Sequence, residues 1–249
     1  MLKIGIIGGS GLDDPDILKN SNEVDITTKY GNPSSPLLTG KINDVEIFIL
    51  ARHGRNHQLS PTQVNNRANI KALQQAGVTH ILATTACGSL RNEIDRGHLV
   101  ILDQFIDFTR FRKNTFADSF ENGLVHPVMA QPFDGNLRKL LFETAKKLDL
   151  RVHDKGCVVT IEGPRFSTVA ESKMFRNWGA DVINMSTAPE AMLANEAGIP
   201  YAAIAMSTDY DCWKEDEAPV TWEEILAVFD KNAHNVIKLL VNVIKKLKE

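Results

Sequence analysis

Two aspartates that follow an apolar run are the residues in this sequence best placed to transfer a proton. Asp209 and Asp211 stand in the stretch STDYDCW, directly after the apolar run 200–206. A carboxyl group in a partly apolar cleft binds its proton more tightly than in water, so it can act as a general acid near neutral pH. The same residues also fit a metal site, although no second Asp, Glu or His cluster supplies further ligands, or a turn with two solvated carboxylates.

Residues that suit an anion follow two earlier apolar runs. In ARHGRNH, after the run 45–51, Arg52 offers a planar fork to phosphate and His53 can donate beside it. In GIIGGSGLDDP, glycines after the run 3–7 let the backbone turn sharply, so that its N–H groups can cradle an anion. The dinucleotide fingerprint needs a further glycine where Asp14 stands, which argues against NAD. A plain turn and a solvated basic loop stay open for these two stretches.

Small, hydroxyl-bearing or aromatic residues follow three further apolar runs. In TTACGSLR, Thr85 and Ala86 can turn N–H and hydroxyl groups toward a ligand, whereas Cys87 has no paired base and is interpreted as a structural thiol. In EGPRFST, Phe166 fits either a stacking surface for a flat ring or the core. A thioether and two hydroxyls stand in NMST, residues 184–187.

The hydrophobic pattern predicts the elements that must position these stretches. Strands are predicted at 3–8, 45–51, 80–86, 98–105, 156–163, 181–185 and 200–206. Helices are predicted at 62–76, 135–148, 168–178, 188–197 and 221–248. This alternation predicts an α/β fold, a single domain over residues 1–249 with a central mixed, largely parallel sheet flanked by helices. Ligands bind at the carboxyl ends of strands in such sheets, so we expect the polar stretches to meet there.

Two of the predicted helices begin with the same cap signal. Thr168 is followed three positions later by Glu171, and Thr187 by Glu190. Both pairs fit the capping box, in which a hydroxyl and a carboxylate bind each other's backbone N–H groups.

Composition excludes several classes of protein. The 249 residues are 43% hydrophobic with a formal net charge of −3, which gives no sign of a nucleic-acid or membrane partner. Three cysteines without a CxxC pair favour free thiols in a reducing compartment and offer no metal framework. Without a long apolar run or a basic leader, we expect a soluble cytoplasmic protein.

Six motifs, in order, carry a resemblance that runs from the first strand to the last helix: GIIGGSGLDDP, ARHGRNH, TTACGSLR, TIEGPRFST, WGADVINMS and MSTDYDCW. The chain resembles the trimeric nucleoside phosphorylases, most of all the 5′-methylthioadenosine phosphorylases. The resemblance implies phosphorolysis of 5′-methylthioadenosine to adenine and 5-methylthioribose 1-phosphate. The alternative is a broader phosphorylase acting on adenosine, inosine, guanosine or methylthioinosine. The resemblance also implies a homotrimer or a dimer of trimers, with inorganic phosphate as co-substrate and no cofactor or metal.

The resemblance also implies roles for individual positions. The phosphate-binding residues would be Ser10, Arg52, His53, Thr85, Ala86 and Ser186. The residues binding the nucleoside would be Phe166, Ser167, Asn184, Met185, Thr208, Asp209 and Asp211, with His126 reaching the 5′-substituent pocket of a neighbouring subunit. Asp209 and Asp211 would be catalytic, the first as general acid at N7 of the purine and the pair facing the 6-amino group.

Three expectations separate this reading from its alternatives. Longer relatives continue with a segment that helps close the methylthio pocket, so a sequence ending at Glu249 implies a more open 5′ pocket that admits 5′-hydroxyl nucleosides. A hydrolase that uses water would leave Arg52 and His53 without an anion. A non-catalytic purine-binding protein would be expected to lose at least one of Arg52, His53 and Asp209.

Overall fold

The computed structural model describes residues 1–8, 18–121, 123–124, 126–215 and 221–248, without the side chains of 19–20, 222–227 and 229–231. Its strands are β1 Lys3–Gly8, β2 Lys19–Val24, β3 Leu37–Ile42, β4 Val45–Ala51, β5 His80–Ser89, β6 Leu99–Ile101, β7 Gln104–Phe108, β8 Val152–His153, β9 Cys157–Ile161, β10 Val182–Asn184 and β11 Tyr201–Tyr210. The α-helices are α1 Asn66–Gln75, α2 Gly135–Lys147, α3 Val169–Asn177, α4 Thr187–Glu196 and α5 Trp222–Lys248. A short 3-10 helix spans Pro61–Gln63.

All these strands belong to one mixed sheet. Its main path runs β2-β3-β4-β1-β5-β10-β9-β7, and β11, β6 and β8 continue from β5 on a second branch. The pairs β1–β4, β1–β5, β5–β11, β6–β8, β7–β9 and β9–β10 are parallel, and the remaining pairs are antiparallel. The predicted α/β fold with a mixed, largely parallel sheet is therefore confirmed.

The two edges of β5 have different neighbours. Strand β11 follows one edge from Ile81 to Ser89. On the other edge, pairing with β1 ends at Ala83 and pairing with β10 begins at Gly88. Within the described residues, the segment 84–87 therefore has no strand beside it on that edge. The backbone groups that point toward that edge are available to side chains and ligands, whereas those on the other edge pair with β11.

Helices pack on both faces of the sheet and bury apolar side chains against it. Helices α2 and α5 cover one face, where Leu137 and Leu141 pack with Val236 and Leu240. Helices α1 and α4 cover the other face with residues such as Ile70, Leu73 and Leu193. Helix α3 packs through Phe175 against the β9–β10 end of the sheet. These faces hold the strand ends in place.

The predicted elements are confirmed with four differences. Strands β2 and β3 are absent from the prediction because their sequences, KNSNEV and LLTGKI, are partly polar; β2 is the edge strand and β3 lies beside it. Strand β8 is also absent from the prediction, because its two residues are too few to form a hydrophobic pattern. The run 98–105 forms two strands, since the chain leaves β11 at Ile101 and joins β9 at Gln104. Helix α1 begins at Asn66 rather than 62, because the Asn65 side chain caps its first turn.

One of the two predicted capping boxes is wrong. Thr168 and Glu171 cap α3 as predicted, each side chain accepting from the other's backbone N–H. At α4, however, the N-cap is Ser186 and Thr187 is already helical. The Glu190 carboxylate binds Arg52 and Tyr201 instead of the helix N-terminus, because a buried guanidinium is the stronger partner. That the whole of 1–249 forms one domain stays a prediction.

Candidate active site

A cavity of about 610 Å³ opens at the ends of β4, β5, β10 and β11, where the sequence predicted a ligand site. Its volume lies in the range usual for small-molecule sites. The predicted site residues that line it are Arg52, His53, Thr85, Ala86, Phe166, Ser167, Asn184, Met185, Ser186, Thr208, Asp209 and Asp211. Ser10, the other predicted phosphate ligand, lies outside the described residues. His126 does not line the cavity of its own chain.

Arg52 is held at the end of β4 by three side-chain hydrogen bonds. Its Nε and Nη2 donate to the two carboxylate oxygens of Glu190 at 2.5 and 3.0 Å, and its Nη1 donates to the Thr84 carbonyl at 2.8 Å. Its backbone N–H donates to the Gly8 carbonyl, so the end of β1 lies beside it. A guanidinium has five N–H donors, and these bonds use three. Within the described part of the chain, the other two are left for a ligand in the cavity.

His53 presents one ring nitrogen as an acceptor. Its Nδ1 lies 2.9 Å from the Leu59 carbonyl, which can only accept, so Nδ1 carries the proton. Burial, with Arg52, His57 and Arg112 nearby, lowers the pKa of His53 to about 4. The ring is therefore neutral at physiological pH, and its Nε2 can accept from a protonated phosphate oxygen or a sugar hydroxyl. The sequence predicted that His53 would donate to the anion. For that, Nε2 would need a second ring proton, which the neutral ring does not carry.

A buried network orders the hydroxyl groups beside the unpaired edge of β5. The Asn184 amide donates to Thr85 Oγ1 at 3.2 Å and to Thr187 Oγ1. Its Oδ1 accepts from Thr160 Oγ1 at 2.8 Å. Thr85 Oγ1 and Ser186 Oγ lie 3.2 Å apart. The side chain of Asn184 therefore makes its hydrogen bonds to other side chains of the protein. These bonds hold the hydroxyl groups of Thr85 and Ser186 in position at the cavity.

The carboxylate pair lies at the end of β11, and each member has a hydroxyl partner. Thr208 Oγ1 donates to Asp209 at 2.7 Å, and Ser167 Oγ donates to Asp211 at 2.8 Å. Burial raises the pKa of Asp209 to about 6, and the charge of Asp211 adds to the rise while Thr208 opposes it. The pKa of Asp209 therefore lies well above that of an ordinary aspartate, so a fraction of its carboxyl groups keep the proton just below neutral pH, as its position after an apolar strand predicted.

Gly88, one of the small residues in the stretch TTACGSLR, is a further part of the site. It lines the cavity between the two aspartates. A Cβ atom there would lie 3.2 Å from Asp209 Oδ2 and 3.1 Å from a methyl group of Ile183. Such contacts are tighter than most that real Cβ atoms make, so the absence of a side chain lets the Asp209 carboxylate approach β5 closely.

Phe166 and Met185 line the cavity on the side of α3 and β10. The Phe166 ring is 55% exposed, so the stacking surface that the sequence left open is supported over a place in the core. The Met185 carbonyl accepts from Arg112 Nη1 at 3.1 Å. Burial acts to raise the pKa of Glu162, but hydrogen bonds from the Arg110 backbone and the Arg112 side chain outweigh it and hold that pKa at about 2. The ion pair of Arg112 and Glu162 therefore holds the Met185 backbone in place. Neither residue of this pair was predicted from the sequence.

His126 lies on an exposed segment that carries several apolar side chains. Its ring packs edge-on against Phe120 at a centroid distance of 5.3 Å. Leu124 and Val128 are 76% and 80% exposed. Large apolar side chains that are exposed close together along one segment are typical of interaction sites.

Other chemistries have little support in the described residues. Burial, and next the charge of Asp209, raises the pKa of Cys87 well above its ordinary value, which fits the structural thiol predicted for it. No group of three or more His, Cys, Asp or Glu side chains in the described ranges is arranged to hold a metal ion. None of the helices in those ranges is both long and apolar enough to cross a membrane.

A cavity with an arginine on one wall and a partly protonated aspartate on another suits transfer of a group to an anion. Comparison with known families agrees: the profile of the Phosphorylase superfamily matches residues 3–245, and the chain belongs to that superfamily. Its relatives define a narrower branch. The S-methyl-5′-thioadenosine phosphorylase of Xenopus tropicalis is 54% identical over 250 residues, which cover 99% of this chain and 89% of the relative.

Solved structures of the same branch superimpose on the whole chain. The methylthioadenosine phosphorylase of Schistosoma mansoni in complex with adenine has a TM-score of 0.94 and 41% identity, covering 100% of this chain and 92% of that one. A variant of the adenosine/methylthioadenosine phosphorylase from that organism, in complex with methylthioadenosine, has a TM-score of 0.93 and 40% identity, with the same coverage. The resemblance deduced from the six motifs is thereby confirmed.

Proposed function

We propose that the protein catalyses the phosphorolysis of 5′-methylthioadenosine to adenine and 5-methylthioribose 1-phosphate. The observation that carries the proposal is the composition of one cavity. It joins Arg52 and the unpaired edge of β5, which suit phosphate, to Asp209 and Asp211, which suit a purine. The relatives named above, which the chain matches along nearly its whole length, support the same reaction.

The phosphate subsite holds the nucleophile against C1′ of the sugar. Two N–H groups of Arg52, the hydroxyls of Thr85 and Ser186 and the Ala86 region of β5 supply donors, and His53 Nε2 accepts from a protonated phosphate oxygen. A phosphate oxygen attacks C1′ while the C–N bond to the purine stretches, so the sugar becomes oxocarbenium-like. Fixed donors that place the anion against this developing cation stabilise the transition state without reorganisation.

The purine subsite removes the leaving group. Asp209 donates its proton to N7 of the purine. The purine then takes up the electron pair of the breaking C–N bond and leaves as a neutral base. Asp211 accepts from the 6-amino group, and Ser167 and Thr208 hold the two carboxylates in place. A 6-oxopurine would leave a buried acceptor unpaired, which is costly, and adenine is preferred for this reason. Phe166 stacks on the base, and Met185 lies below the ribose.

We further propose that the active form is an oligomer, a homotrimer or a dimer of trimers. The exposed apolar segment around His126 supports this, since it would be covered by a neighbour whose 5′ pocket His126 completes. The reaction needs inorganic phosphate and no cofactor or metal. The cytoplasm is the proposed location.

A substrate panel tests the proposal. Adenine release is measured from 5′-methylthioadenosine with and without phosphate, beside adenosine and inosine. We expect release only with phosphate and fastest from 5′-methylthioadenosine. Comparable rates with adenosine would favour the broader activity in the name of one Schistosoma relative. Release without phosphate would make the protein a hydrolase, and a preference for inosine would overturn the role given to Asp211.

A further inference from the structure

A buried carboxylate lies behind the phosphate subsite, on the far side of Arg52 from the cavity. Glu190, on the first turns of α4, is fully buried and accepts three hydrogen bonds. Two come from Arg52 at 2.5 and 3.0 Å, and the third comes from the Tyr201 hydroxyl at 2.8 Å. Since Ser186 begins α4, this carboxylate has no capping role, and its contacts serve the guanidinium instead.

The partners of the Arg52 guanidinium hold it from three elements. Glu190 comes from α4, Tyr201 braces Glu190 from β11, and the Thr84 carbonyl comes from β5. A bidentate pair fixes the plane of a guanidinium as well as its position. Because the Glu190 contacts use Nε and one N–H of Nη2, the direction of the remaining N–H groups is set by Glu190.

The charges around the cavity show that orientation matters more here than attraction. Glu190 cancels the charge of Arg52, and His53 is neutral because its pKa is about 4. Asp209 and Asp211, which also line the cavity, are acidic, and His57 is the remaining histidine in its wall. Among the described residues the cavity therefore carries no net positive charge. A phosphate dianion binds such a site through the direction of its hydrogen-bond donors.

We propose that Glu190 is a positioning residue that sets the affinity of this protein for phosphate by orienting Arg52. The inference rests on the proposed phosphorolysis, because it assigns phosphate to the Arg52 side of the cavity. Loss of the Glu190 carboxylate is expected to weaken phosphate binding and to leave purine nucleoside binding unchanged, since Asp209 and Asp211 lie on other elements.

The test compares two glutamates on the same helix. Glu190→Gln keeps the shape of the side chain but removes the bidentate partner of Arg52. Glu196→Gln is the matched control, because among the described residues that carboxylate accepts only from the Phe116 backbone N–H at 3.1 Å. Dissociation constants for inorganic phosphate are measured by calorimetry, and KM values for phosphate and 5′-methylthioadenosine by adenine release. We expect phosphate binding to weaken about tenfold or more in Glu190→Gln alone, with the nucleoside KM within about twofold of wild type.

A second variant keeps the proposal testable if Glu190→Gln fails to fold. Tyr201→Phe removes one hydrogen bond to Glu190 and is expected to weaken phosphate binding about two- to fivefold. Unchanged or tighter phosphate binding in both variants would overturn the inference, as would equal losses for phosphate and nucleoside. If the wild-type protein itself fails to bind phosphate, the proposed function fails, and the two failures are thereby distinguished.

Discussion

Burial contributes more than the neighbouring charge to the raised pKa of Asp209. The side chain is 8% exposed, and its desolvation is the largest cause of the rise to about 6. Asp211 is equally buried and accepts from Ser167. The hydroxyl partner of Asp209, Thr208, acts against the rise, so the raised pKa of Asp209 follows from burial and, after it, from the charge of Asp211.

The pH profile of kcat/KM tests the acid role of Asp209. Because the protonated form is the active one, kcat/KM for 5′-methylthioadenosine at saturating phosphate is expected to be highest below pH 6. It should fall as pH rises through about 6. Asp209→Asn should lower kcat by roughly 10²- to 10⁴-fold and remove this limb. A variant that keeps the limb would assign it to another group.

Gly88→Ala tests the contact between β5 and the carboxylates. The added methyl group would meet Asp209 and Ile183 at 3.1–3.2 Å, so we expect KM for the nucleoside to rise several-fold while KM for phosphate stays unchanged. Gly135→Ala is the matched control, since a Cβ there meets nothing within 4 Å. Steady-state kinetics of both variants decide the point. Equal kinetics in the two would remove Gly88 from the site.

At the scale of elements, two features position the purine and phosphate subsites. Segment 84–87 of β5 has no strand beside it on one edge, and the backbone groups on that edge are available to the phosphate subsite. The N-terminus of α3 follows Phe166 and Ser167 directly, so the cap at Thr168 fixes the purine side. The edge of β5 and the N-terminus of α3 are each formed by local sequence, but the sheet brings the two together at one cavity.

Removing the α3 cap should therefore alter nucleoside binding. Thr168→Ala is expected to reduce stability by about 1 kcal/mol and to raise KM for the nucleoside. The Asp134 side chain caps α2 in the corresponding way, because it accepts from the Leu137 N–H at 2.8 Å. Asp134→Ala should therefore reduce stability by a similar amount without any change in KM for the nucleoside. Chemical denaturation and kinetics together provide the comparison. A KM shift in both variants would show that loss of stability alone is responsible.

The two cap signals show what a sequence pattern can predict here. Thr168-x-x-Glu171 forms the predicted box because its partners are exposed and local. The same pattern at Thr187 fails because Glu190 is buried beside Arg52, a residue 138 positions away in the chain. Strand ends and the residues on them were predictable from the apolar pattern, whereas partners supplied by distant segments were not.

At the scale of the whole molecule, the proposed oligomer would cover the exposed apolar segment around His126. Val128→Asp is expected to shift the protein toward the mass of a single chain, 27.6 kDa, and to lower activity, because a charge at an apolar interface is costly. Val24→Asp, on β2, makes the same change at another exposed valine and should alter neither. Light scattering after size-exclusion chromatography measures the mass. A wild-type protein of 27.6 kDa would contradict the proposed oligomer.

The fate of phosphate tests the central claim most directly. Phosphorus NMR can follow the wild-type protein with 5′-methylthioadenosine and inorganic phosphate while adenine is quantified in the same sample. Phosphorolysis predicts that inorganic phosphate is consumed and that a sugar 1-phosphate signal grows in equal amount to adenine. Adenine that accumulates while the inorganic phosphate signal stays constant would contradict it, because water rather than phosphate would then have attacked the sugar.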